Sequence, residues 1–105
     1  MPEWPNDADG DALRRIWNDG ADFTVKHVVD FQVDFDNPNQ IADARKLLEQ
    51  KYHKVALYDE PDGPYLQISK LMLLQYNALL REQDELSDLT AKFGGKCEAW
   101  GVLIE

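Results

Sequence analysis

The stretch HVVDFQVDFDN, from His27 to Asn37, decides how the rest of the chain is read. His27, Val29, Phe31, Val33 and Phe35 share one parity, while Val28, Asp30, Gln32, Asp34 and Asp36 share the other. Successive side chains of a β-strand point to opposite faces, so one face of this strand suits a core. The other suits water or something positively charged. The strand is expected from about Val25 to Asp36.

Downstream, DNPNQIADARKLLEQKY offers Asn37 as an N-cap, Pro38 at the first helical position and Gln40 three residues after the cap. Ile41, Ala44, Leu47 and Leu48 supply that helix with an apolar stripe. HKVALYDEPDGPYLQISKL is two β-rich runs around Pro-Asp-Gly-Pro, which predicts a hairpin. A long helix is expected from about Met72 to Phe93, on the spacing of Met72, Tyr76, Leu79, Leu86, Leu89 and Phe93. Gly94 and Gly95 end it, and KCEAWGVLIE reads as a final strand. Upstream, DGDALRRIWNDG predicts a short first helix with Leu13, Ile16 and Trp17 on one side, acids before it and Gly20 as its stop.

After that first helix the order is β-α-β-β-α-β, the split βαβ of ferredoxin-like folds. The expected class is α+β, a ferredoxin-like sandwich with an extra N-terminal helix. It forms one domain of residues 1–105, the helix at about 7–19 and the core at about 23–105. Two helices should cover one face of a four-stranded antiparallel sheet, with the first and last strands in the middle. Phe31, Val33, Phe35, Val55, Leu57, Leu66 and Ile68 are expected to face the helices. The bare face should carry Asp30, Gln32 and Asp34, joined by Tyr58, Tyr65 and Gln67. Parity leaves open whether Trp100 or Leu103 of the last strand faces the helices, and the pattern leaves open whether the first helix lies over the bare face.

A chain of 105 residues has room for one two-layer core and no deep interlobe cleft. Its 20 acidic side chains against 11 basic ones give a formal charge of -9. Such a surface repels nucleic acid and anionic membranes, whose affinity rests on Lys and Arg contacts to phosphate, and it favours basic partners. The lone Cys97 permits no intrachain disulfide and fits a reducing compartment. MPEWPNDADGD lacks the basic and apolar regions of a signal peptide. The longest aliphatic run, Leu71 to Leu74, falls far short of the roughly 20 residues that span a bilayer. A cytoplasmic protein is expected.

An open sheet face with aromatic residues is how RNA-recognition domains stack bases, but those domains set Arg or Lys beside the rings. Here the strand supplies Asp30 and Asp34, so direct nucleic-acid binding is not expected. DADGD places Asp7, Asp9 and Asp11 at calcium-loop positions one, three and five, yet Ala12 stands where a Gly is needed and Asn18 where a Glu is needed. These acids fit the N-terminal dipole of a helix better. His27, His53 and Cys97 are the candidates for chemistry, and no metal-binding, paired-cysteine or phosphate-loop motif accompanies them. No enzyme activity, metal or cofactor is expected. If Trp100 packs inside, its indole N–H needs an acceptor; if it lies on the open face, it is an interface anchor.

DGDALRRI, the Gly20 spacer, VDF at Val29 to Phe31, YHKV before the hairpin, Met72, and GG followed by CEAWG together resemble the family of the regulator of ribonuclease E activity B, over about Asp9 to Val102. The resemblance implies a small acidic ferredoxin-like protein that binds the endoribonuclease and inhibits it, altering which transcripts are degraded. It implies no catalytic residues, and it carries over only Asp30, Phe31, Gly94, Gly95 and Trp100, as structural or contact positions. The expected partner is a basic, Arg-rich protein segment, of ribonuclease E in particular. Asp30, Gln32, Asp34, Tyr58, Tyr65 and Trp100 are the candidate contacts. The alternative is a ferredoxin-like domain whose sheet face binds a small ligand or a second copy, as monomer or homodimer.

Overall fold

The computed structural model describes residues 3–36, 38–60 and 63–102. Its elements are α1 (Ala8–Asn18), β1 (His27–Phe35), α2 (Ile41–Glu49), β2 (Lys54–Glu60), β3 (Gly63–Met72), α3 (Tyr76–Thr90) and β4 (Gly95–Val102). The fold is α+β: three helices and one four-stranded sheet of order β2-β3-β1-β4, antiparallel throughout. The alternation in β1 becomes burial. Val29, Phe31 and Val33 are fully buried, while Val28 and Asp34 are exposed.

The strand order corrects one expectation, because β4 lies at an edge and β3 shares the middle with β1. A hairpin joins the sheet as a pair, and only one of its strands can touch β1. That strand is β3, which runs beside β1 from His27↔Met72 to Asp34↔Tyr65. Met72 therefore closes a strand instead of opening the long helix. It packs against the core, while Leu71 points the other way and is 60% exposed. Strand alternation prevails over helical spacing here because β1 extends far enough to pair with it.

The Asn37 cap lies outside the described residues. Pro38–Gln40 form a 3-10 turn, and α2 begins after Gln40 without a side-chain cap. The tip of the hairpin, 61–62, also lies outside the described residues. At the far end of α3, Gly94 sits at φ 76, the left-handed region that glycine adopts without strain. Gly95 is needed for a different reason: a Cβ there would come within 2.7 Å of Thr90 Cβ and 2.8 Å of Phe35 Cε2.

Leu13 of α1 is fully buried in the same core as Phe31, Leu48, Leu66, Ile68 and Leu79, so α1 packs on the helix side and not over the bare face. Trp4 and Phe23 pack against this core, and Trp17 of α1, largely outside it, meets both rings edge to face, Phe23 at 5.3 Å. Leu57 faces the helix side as expected but remains 43% exposed, because β2 is an edge strand with a neighbour on one side only.

Along β4 the register to β1 shifts: Gln32 pairs with Ala99, and Val33 pairs with Cys97. Glu98 is the extra residue of this bulge, and a bulge turns the following side chains over. Cys97 and Trp100 consequently both face the helices although their parities differ.

Candidate protein-interaction surface

The open face is built from rows of paired residues. Asp30 lies between Ser69 and Gly101, Gln32 between Gln67 and Ala99, and Asp34 between Tyr65 and Lys96. Ser69 Oγ donates to Asp30 Oδ1 at 2.5 Å, and Gln32 Nε2 donates to Asp34 Oδ1 at 2.9 Å. Tyr58 pairs with Tyr65 across the hairpin, and their rings stack at 5.2 Å with 12° between planes. Small residues on β4, Ala99 and Gly101, leave a shallow hollow of about 410 Å³ over Gln32 and Gln67. At one end of the face Val28 and Leu71 stand side by side, 50% and 60% exposed.

Five of the six candidate contacts thus share one face, and Trp100 is separated from them. It is half-buried against the core and donates its indole N–H to Asp9 Oδ1 at 2.6 Å. Asp9 also accepts from Gln83 at 3.3 Å, tying α1 to α3 and β4 together.

A second feature adjoins the open face at the β4 edge. Asp34, Asp36, Asp88 and Glu98 line a hollow of about 520 Å³. The basic residue there, Lys96, donates to Glu98 at 2.9 Å, and that carboxylate holds the ammonium above its ordinary lysine value. The alternation of β1 marks Asp34 and Asp36. Asp88 comes from α3 and Glu98 from the bulge, so no local sequence pattern brings them together.

The acids of DADGD have other partners. Asp7 caps α1 by accepting from the Gly10 N–H at 2.7 Å, and the Tyr76 hydroxyl also donates to it. The Tyr76 bond chiefly, then that of Gly10, hold the Asp7 carboxyl below its ordinary value. Asp11 pairs with Arg14. Among the described residues no group of three or more His, Cys, Asp or Glu side chains is arranged to hold a metal ion.

The residues considered for chemistry do not converge. His27 Nε2 is 2.7 Å from the Asp22 carbonyl oxygen, His53 is exposed just before β2, and Cys97 is buried on the helix side near the opposite edge. Burial, as the main cause, pushes the Cys97 thiol up to about 12, so it stays protonated at neutral pH.

What the fold offers a partner is surface: a bare sheet face with an acidic hollow at its side, carried on a small α+β scaffold. Residues 6–102 match the family described as Regulator of ribonuclease activity B, and the chain belongs to that family. The family's name is that of a regulator of ribonuclease activity. No curated protein matches the chain. Among the described residues no helix is long and apolar enough to cross a membrane.

Proposed function

We propose that this protein is a non-enzymatic acidic interaction module that binds an Arg-rich segment of an endoribonuclease of the ribonuclease E type, inhibits it, and so modulates RNA decay in the cytoplasm. The scaffold is read as one ferredoxin-like domain, a reading supported by the β-α-β-β-α-β order and the β2-β3-β1-β4 sheet. Family membership supports a ribonuclease as the target. The observation that carries the surface is the convergence of Asp34, Asp36, Asp88 and Glu98 beside the open face.

Carboxylates grouped this way suit guanidinium groups, which they can accept in paired hydrogen bonds. The stacked Tyr58 and Tyr65 rings add flat surfaces on which a guanidinium can lie. Arginines held there are unavailable to RNA phosphates, which is a physical route to inhibition without chemistry. Trp100 serves this surface by fixing β4 from behind through Asp9.

Binding should be tested with the lysine double variant Asp34→Lys/Asp88→Lys, since both acids are exposed and the fold should tolerate the change. Association with the endoribonuclease should weaken, mainly through a slower on-rate. Close charge pairs carry on the order of 1.5–7 kcal/mol of coupling, and rim pairs less. Wild-type affinity should fall as salt rises, and the variant should show a flatter dependence. A folded variant that binds as tightly and as salt-sensitively as wild type would sink the assignment of this surface.

The exposed Val28 and Leu71 pair favours a second reading, in which the open face takes a small ligand or a second copy. Sedimentation mass separates the two: a dimer that a charge at Leu71 dissociates supports self-association.

A further inference from the structure

At the opposite edge of the sheet, basic side chains gather near the start of β2. β2 pairs with β3 on one side, and among the described residues no strand pairs with its outer side. Two hollows adjoin β2. One, of about 480 Å³, lies at its start beside the end of β3 and is lined by Lys51, His53, Lys54 and Lys70 with the exposed Val28 and Leu71; the other, of about 430 Å³, lies between α2 and Leu57 and is lined by Arg45, Lys46 and Glu49. Five of the eleven Lys and Arg side chains in this acidic chain therefore line hollows beside the first half of β2, from Lys54 to Leu57, whereas the strand ends in Asp59 and Glu60. Lys51 pairs with Glu85, Lys70 with Glu82, and Arg45 lies 3.4 Å from Glu49. Lys46 and Lys54 have no acidic partner among the described residues and are exposed.

We infer that the outer edge of β2 is a docking edge for an extended acidic segment of another protein, one whose glutamates or aspartates alternate with apolar side chains. An added strand would take the unpaired backbone groups of β2, using every second amide and carbonyl. Its side chains would alternate between the two faces. On the open face, carboxylates would meet Lys54, which is paired across the hairpin with Ser69 of that face. On the helix face, apolar groups would cover Leu57, which is 43% exposed. Arg45 and Lys46 rim that second position and would draw the flanking acids. A second copy of this chain fits the edge poorly, because pairing about Leu57 would set the Arg45 and Lys46 of one copy against those of the other. The surface lies across the sheet from the acidic hollow, so this inference does not depend on the function proposed above.

The test is an amide NMR titration of the whole protein with an acetylated, amidated heptapeptide of glutamate alternating with valine. The expected shifts fall on Lys54 to Tyr58 and on residues lining the two hollows. Lys46→Glu with Lys54→Glu should weaken binding by about tenfold or more without altering thermal unfolding. The same peptide with every second amide N-methylated should lose binding, a readout independent of any variant's folding. The inference is overturned if lysine in place of glutamate leaves the peptide's affinity unchanged, if N-methylation has no effect, or if the shifts map away from β2. It is equally overturned if the protein alone forms a dimer that Lys54→Glu abolishes, since the edge is then occupied by a second copy.

Discussion

The two faces of the sheet share one backbone and use their carboxylates in different ways. On the helix side Glu82 is buried, accepting from the Tyr52 hydroxyl at 2.6 Å and from Lys70 Nζ at 2.7 Å. Asp9 likewise accepts from Trp100 and Gln83. These acids join α1, the end of α2, α3 and the sheet, and little of their charge reaches solvent. On the open side Asp34 is exposed and accepts from its own strand neighbour Gln32. An acidic count of 20 therefore does not measure how acidic the binding surface is. Charge matters to a partner only where the fold leaves it unspent.

The comparison breaks most readily at Phe31. Phe31→Ala should cost about 3–5 kcal/mol, enough to unfold a marginal domain, because the side chain is fully buried. Asp34→Ala, three residues along the same strand, should stay within about 0.5 kcal/mol. Urea unfolding of both variants measures the contrast, and similar losses would erase the distinction between the faces.

Next comes Glu82→Ala, which leaves the Tyr52 hydroxyl without its acceptor and should cost about 1–3 kcal/mol. The full cost of breaking a buried ion pair is not expected, because Lys70 is 42% exposed on its side chain and can turn to water. Burial first, and then the Glu82 carboxylate, raise Tyr52 well above the ordinary tyrosine range. The folded state thus holds this proton more tightly than the unfolded state. Its contribution is complete below about pH 10 and is lost as the pH rises toward the folded value. Replacement by Gln should make that alkaline loss shallower.

Asp9→Ala removes the acceptor of both the Trp100 indole and the Gln83 amide and is expected to cost about 1.5 kcal/mol, the low end for hydrogen bonds to a charged group. In a background with Trp4 and Trp17 changed to Phe, Trp100 emission should shift to the red as water reaches the indole. An unchanged spectrum would mean the bond does not hold Trp100 in place.

The smallest effect belongs to Asp7. Its carboxyl is held below the ordinary value, so its contribution is present above about pH 4 and fades as the pH falls through the folded value. Asp7→Asn should flatten the acid limb of a stability–pH curve, with no change at neutral pH in its slope. An identical acid limb would show that the cap is not felt.

By itself the sequence determined the elements whose signals are local. The alternation from His27 to Phe35 specified both faces of β1, since a side chain's face follows from its parity alone. The paired glycines mark the start of β4 and the end of the helical run, in which α3 itself stops at Thr90 and a 3-10 turn, Ala91–Phe93, carries the chain to Gly94; Gly94 acts through its left-handed backbone and Gly95 through its close approach to Thr90 and Phe35. Asp30, Gln32, Asp34, Tyr58 and Tyr65 were placed together for the same reason.

Only the tertiary structure decided what depends on which strands meet. Met72 reads equally well in a helical stripe and a strand, and the length of β1 beside it resolved the choice. β4 went to the edge because β3 took the place beside β1. Trp100 could not be assigned by counting, because the bulge at Glu98 inserts a residue opposite β1 and reverses the parity beyond it. The acidic hollow and the basic edge each gather residues from separate elements, and such gatherings exist only once the chain has closed on itself.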